Sequence, residues 1–145
     1  MALRRRNSAG FLANHMARLF ANALADKLRP LGLAPAQFPV LLELWQHDAL
    51  TQKELVERLD LEQATVGNTL NRMERDGLIT RRPHPQDGRS QMICLTARAR
   101  SLETEATRCA TAINARALAD LGDVDRKSLL ELMQRVIDRL RAEQN

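Results

Sequence analysis

The chain has 145 residues, 44% of them hydrophobic and 28% charged, with two cysteines and a net charge of +4. That is enough chain for one packed domain, and the composition is that of a globular protein, not of a disordered one. No run approaches the roughly 20 apolar residues of a bilayer span, and neither cysteine sits in a C-x-x-C pair, so the expectation is a cytoplasmic protein with reduced thiols and no membrane partner.

The opening stretch MALRRRNSAGFLANHMARLF has the arginines of a targeting segment, but Asn14, His15 and Arg18 interrupt its apolar run and no small-residue cleavage site follows. It reads as a basic arm entering a helix over about 8–29, with Phe11, His15, Leu19, Leu24 and Leu28 near one face and Pro30 and Gly32 as its stop. Pro35 opens a second helix carrying Phe38, Leu41, Leu42 and Trp45. Thr51-Gln52-Lys53-Glu54 is a capping box, with Leu50 and Leu55 placed as a hydrophobic staple. It starts a short third helix that ends near Leu59. A fourth helix runs from about Gln63 to Asp76, where Gly77 and a Leu78–Met73 contact form a Schellman stop. Residues 78–82 and 89–95 alternate as a two-stranded ribbon, with Ile93 and Leu95 inward and Met92 and Cys94 outward. From Thr96 the chain is helical again, broken near Leu121-Gly122. Asp123 is the expected cap of a last helix striped by Leu129, Leu132, Met133, Val136 and Leu140.

Bulk charge does not identify the partner. Residues 1–30 carry six basic side chains against Asp26 alone, yet residues 51–90 hold seven basic and seven acidic. The faces are more telling. At 100° per residue, Val66, Leu70 and Met73 share a narrow arc of the fourth helix. Ala64, Asn68, Asn71 and Arg75 lie opposite, flanked by Thr65 and Arg72, with Gln63 at the start. Small side chains allow close approach to base edges, and Asn and Arg suit bidentate pairing with adenine and guanine. Gly67 costs a helix about 1 kcal/mol relative to Ala, which implies close approach to the duplex or to the preceding helix. The ribbon tip RRPHPQDGRS sets Arg81, Arg82 and Arg89 around a turn stiffened by two prolines and Asp87-Gly88. A rigid basic finger beside such a helix fits a duplex, with the helix in the major groove and the tip at the minor groove. Asp87 is expected to orient the Arg89 guanidinium as an ion-pair partner.

A capped helix, a tight turn, a second helix and a ribbon make a winged helix-turn-helix. The residues Leu61, Gln63, Val66, Leu70, Met73, Glu74, Gly77 and Leu78, then Asp87 and Arg89, then Leu95 and Thr96 resemble those of MarR-type transcriptional regulators. Gln37-Phe38 in the second helix agrees with that resemblance. It implies a homodimer built from the first and last two helices, a near-palindromic double-stranded operator, and usually repression relieved by a small aromatic or phenolic ligand. It also implies that Arg89 enters the minor groove, and that an effector pocket lies beside the dimer helices, with His15, Arg18, Phe38, Leu42 and Trp45 as candidate lining. The plainer reading of Phe38, Leu42 and Trp45 is core. Gly67-Asn68 stands where a Thr/Ser-Arg pair is frequent, and Gly88 where arginine is frequent. Peroxide-responsive members use a cysteine in the first helix, and this chain has none there.

The fold class expected is therefore mainly α with a small β-ribbon: an N-terminal arm and dimerisation helix over 1–34, the winged helix-turn-helix over 35–95, and C-terminal dimerisation helices over 96–145. Three histidines and two scattered cysteines offer no metal spacing, no cofactor is implied, and no phosphate loop or nucleophile elbow points to an enzyme. The alternative is a winged-fold protein-interaction adaptor that does not bind DNA.

Overall fold

The computed structural model describes residues 2–145. Helix α1 (Ala9–Leu28) is rich in alanine and leucine, and the Ser8 hydroxyl caps it by accepting from the Phe11 N–H at 3.4 Å. One 3-10 turn, Arg29–Leu31, and Gly32 close it. Helix α2 (Phe38–Gln46) starts three residues later than Pro35 predicts. The chain first makes a tight turn in which Gln37 donates its N–H to the Ala34 carbonyl and its Oε1 accepts from the Ala34 N–H at 3.1 Å.

Strand β1 (Leu50–Thr51) leads directly into α3 (Gln52–Leu59). The capping box forms as expected: Thr51 Oγ1 accepts from the Glu54 N–H at 3.1 Å, and Glu54 Oε1 accepts from the Thr51 N–H at 3.2 Å. Leu50 and Leu55 are both buried. Helix α4 (Gln63–Arg75) ends on a complete Schellman motif, with Leu78 N–H bonding to the Met73 carbonyl and Gly77 N–H to that of Glu74. Gly77 has φ +72°, a left-handed backbone that glycine adopts without a Cβ clash.

Strands β2 (Ile79–Pro83) and β3 (Gln91–Leu95) pair antiparallel, Arg81 opposite Ile93. The sheet has three strands, not two. Its order is β1-β3-β2, and Leu50 pairs with Ile93. This central position corrects the expectation for Cys94, which is buried and does not face solvent. With β1 and β2 on its two edges and α2, α3 and α5 in contact with it, β3 has little face left for water.

The core of this unit gathers Leu28, Leu41 and Leu44 with Leu55, Val66, Leu70, Met73 and Ile93. Val66, Leu70 and Met73 are each 0% exposed, so the inner arc of α4 alone contributes on the order of 1.5–3 kcal/mol per side chain. Asp48 fastens the loop between α2 and β1. Its carboxylate accepts from the N–H groups of Ala49 (2.8 Å) and Leu95 (2.9 Å) and from Arg100 Nη2 (2.8 Å). Burial alone would raise its pKa, but these donors outweigh burial and hold it below the ordinary 3.8.

Helices α5 (Ala97–Ser101), α6 (Glu103–Ala117) and α7 (Asp123–Gln144) complete the chain. The described residues divide into two compact units, the first reaching Ala110 and the second starting at Thr111. In the second, Arg126 Nε donates to the carbonyls of Leu118 and Leu121, closing the turn before α7. Gly122, not Asp123, is the cap residue there, and Asp123 is the first helical residue. Helix α7 leaves Leu130, Leu132, Met133, Val136 and Leu140 exposed. Within the first unit, α1 likewise exposes Phe11, Leu12, Met16 and Leu19. Among the described residues no helix is long and apolar enough to cross a membrane.

Candidate nucleic-acid interface

Helix α4 buries one face and shows the other. Gln63, Ala64, Thr65, Asn68, Asn71, Arg72 and Arg75 are all exposed, opposite the buried Val66, Leu70 and Met73. Both ends of the helix are pinned. At its start, Gln52 Nε2 of α3 donates to the Gln63 carbonyl at 3.3 Å. A Cβ on Gly67 would meet that same Gln52 nitrogen at 3.2 Å. Of the two roles the sequence left open for Gly67, the structure shows close approach to the preceding helix.

At its other end, three elements converge on Asp76. Gln37 is only 5% exposed, and its Nε2 donates to Asp76 Oδ2 at 3.0 Å. Arg98 of α5 donates to the Asp76 main-chain carbonyl, and Arg75 Nε lies 3.5 Å from Asp76 Oδ1. Gln37 thereby ties the turn before α2 to the end of the exposed helix.

The wing tip is ordered by main-chain bonds. Asp87 Oδ1 accepts from the Arg89 N–H at 3.0 Å, Ser90 N–H donates to the Asp87 carbonyl, and His84 N–H donates to that of Ser90. The expected Asp87–Arg89 ion pair does not form among the described residues. Two residues apart, the carboxylate reaches the backbone N–H of a tight turn in preference to the guanidinium. Arg82 and Arg89 are exposed.

The wing faces the helix-turn-helix across a recess of about 330 Å³ lined by Gln52, Lys53, Gln63, Gly88, Arg89 and Ser90, among others. Gln52 and Lys53 at the start of α3, Gln63 at the start of α4 and Arg89 of the wing line this space, and the two cations among them favour an anion such as a phosphate. Lys53 was missed in the sequence. Its signal is a cation in the first turn of a helix, where the macrodipole disfavours one.

Arg81 behaves differently from its neighbour. It is half-buried, and its Nη2 donates to Asn71 Oδ1 at 2.8 Å, joining wing to helix. The exposed face of α4 and the base of the wing are thus held together by a side-chain bond.

The candidate effector residues lie apart in kind. His15 and Arg18 are exposed on α1. Phe38 is buried and meets Trp45 edge to face, ring centroids 6.0 Å apart. Trp45 Nε1 donates to the Ala99 carbonyl at 3.0 Å, and Leu42 and Trp45 pack against the core. Cys109 is half-buried, its Sγ 3.9 Å from the Lys27 carbonyl oxygen. Among the described residues no three His, Cys, Asp or Glu side chains gather as a metal site.

A helix pair with one helix presenting a polar, basic face, followed by an antiparallel wing fastened to it, defines the winged helix-turn-helix class. Residues 33–91 match the MarR family. The chain is 32% identical over 121 residues to the HTH-type transcriptional regulator YwoH of Bacillus subtilis, covering 83% of this chain and 88% of that one. It is 38% identical over 90 residues to the organic hydroperoxide resistance transcriptional regulator of the same organism, a match covering 62% of this chain and 61% of that protein, less than two thirds of its length. The structure of reduced AbfR bound to DNA aligns with a TM-score of 0.74 and 26% identity, over 93% of each chain. The chain belongs to the MarR family of transcriptional regulators.

Proposed function

We propose that this chain binds double-stranded DNA as a homodimer and acts as a repressor. The observation that carries the reading is the bond between Arg81 and Asn71, which joins the wing to the exposed face of α4. In this reading residues 35–95 grip the duplex. Gln63, Ala64, Thr65, Asn68, Asn71, Arg72 and Arg75 meet the major groove. Arg82 and Arg89 meet the minor groove or backbone, and Asp87 holds the tip that carries Arg89.

Residues 1–34 and 96–145 hold the dimer. The exposed apolar faces of α1 and α7 support this, because each needs cover and a second copy supplies it. A twofold dimer presents two α4 helices about 34–36 Å apart, one turn of DNA, and so selects a near-palindromic operator. In this reading the protein works on chromosomal DNA, in the cytoplasm.

A small aromatic or phenolic effector that favours a dimer with the wrong helix spacing lowers DNA affinity, and DNA weakens effector binding by the same factor. His15 and Arg18 are the polar groups we assign to it, with Phe38, Leu42 and Trp45 as apolar neighbours. The first helix carries no cysteine with which to sense a peroxide.

Selection of the purified protein on a random-duplex pool tests the reading. Enrichment of a motif with inverted half-sites is expected. A pool that stays unenriched over repeated rounds, with no retained duplex, would favour the adaptor.

A further inference from the structure

Alternation along β2 separates two adjacent arginines. Ile79 is buried, Thr80 exposed, Arg81 half-buried and Arg82 exposed. Arg81 shares the inner face with Ile79, so its side chain runs towards α4, where Nη2 reaches Asn71 Oδ1 at 2.8 Å. Arg81 Nε is buried with no hydrogen-bond partner among the described residues. With Nε shut away from water and Nη2 bonded to Asn71, this half-buried side chain lies along the protein and is not extended as a free arm.

The partner atom on Asn71 is fixed by chemistry. Arginine has donors and no acceptor, so the amide atom facing it is the carbonyl oxygen, and the Asn71 NH₂ points away from the wing. We propose that Arg81 is a positioning residue that sets what Asn71 offers to DNA: amide donors outward, carbonyl held to the wing. The inference rests on the DNA-binding reading above and deepens it to a base preference.

An unconstrained asparagine pairs best with adenine, giving oxygen to N6–H and N–H to N7 from one edge. The Asn71 oxygen keeps a second lone pair, but the bond to Arg81 turns that oxygen towards the wing, so oxygen and NH₂ cannot face one base edge together, and an asparagine turned this way suits a base edge that only accepts. In the major groove those are guanine, through O6 and N7, and thymine, through O4. The base read by Asn71 is therefore guanine or thymine. Arg81 itself displaces no phosphate counterion, and the salt dependence of binding does not register it.

The test is a random-duplex selection run in parallel on the parent, Asn71→Ala, Arg81→Met and Arg81→Lys, each also titrated on the parental motif at several salt concentrations. Met keeps the apolar stem, and Lys keeps a donor, so a folding failure of the first leaves the second informative. The expected result is one position per half-site that favours guanine or thymine in the parent and loses its preference in Asn71→Ala. In Arg81→Met that position admits adenine about fivefold more often, other positions and the salt slope are unchanged, and Arg81→Lys keeps the parental preference. The inference is overturned if the Asn71-dependent base is adenine in the parent. It is also overturned if no position depends on Asn71, or if Arg81→Met keeps every preference while the salt slope falls by about one contact. A parent that enriches no motif removes both this inference and the reading beneath it, and is told apart by that.

Discussion

Gln37 is the buried contact whose exchange should disturb α4 most for the least change in shape. Glutamate at this position has the same size, and one oxygen can still accept from the Ala34 N–H. The other replaces a donor with a carboxylate oxygen 3.0 Å from Asp76 Oδ2. A hydrogen bond to a charged acceptor, worth about 1.5–3 kcal/mol, is lost. Two full charges at that 3.0 Å distance add repulsion of up to about 5.5 kcal/mol at an effective dielectric near 20. The Asp76 side chain is 34% exposed and can swing towards solvent, so most of the repulsion is relieved, and the net loss expected is about 3 kcal/mol. For a chain of this size that lowers the melting temperature by about 6–12 °C. The assay is thermal and urea unfolding followed by far-UV circular dichroism at neutral pH and fixed protomer concentration. The control is the double variant Gln37→Glu with Asp76→Asn, which exchanges donor and acceptor and should recover most of the loss. A Gln37→Glu protein that melts with the parent, or a double variant no more stable than Gln37→Glu, would refute the claim that this bond anchors the end of α4.

Thr51→Ala removes one half of the capping box and should cost about 1 kcal/mol in urea unfolding, and Thr51→Ser should restore most of it. Asp48→Asn keeps a carbonyl acceptor but loses the half-exposed Arg100 pair, a loss of under about 1 kcal/mol at neutral pH. Because the folded pKa of Asp48 is lowered, its contribution is complete above the unfolded value and disappears as pH falls through the folded one. The gap in urea midpoint between parent and Asp48→Asn should thus be constant from about pH 5 to 8 and close below about pH 4. Gly67→Ala gains about 1 kcal/mol of helix propensity but displaces Gln52, so it should stabilise the Gln52→Ala background more than the parent; equal effects in both would mean that the two residues do not interact. Arg89→Ala should weaken DNA binding and lower the salt slope by about one.

Much of this fold is written locally. The capping box at Thr51, the Schellman stop at Gly77 and the buried arc of Val66, Leu70 and Met73 each depend on residues within seven positions of one another, and all three were legible. What the sequence hid depends on distant partners. Strand β1 is two residues long and exists because Leu50 pairs with Ile93. That same pairing makes β3 central and buries Cys94, against the alternation. Gln37 stood out beside an aromatic residue, but its bond to Asp76 spans 39 positions. The inward turn of Arg81 was available, since period-two alternation from Ile79 assigns it to the inner face; treating Arg81 and Arg82 as equivalent cations concealed it. Asp87 was read as the ion-pair partner of the Arg89 guanidinium, but its carboxylate holds the backbone N–H of Arg89 instead.

The central claim is that the exposed face of α4 and the wing engage one duplex at the same time. Hydroxyl-radical footprinting on a selected motif measures this directly. Two half-sites about 10 base pairs apart should be protected, each with minor-groove protection on its flank that disappears in Arg89→Ala while the central protection persists. A footprint with no flanking protection, or one that Arg89→Ala leaves intact, would mean that the wing does not touch DNA with the helix.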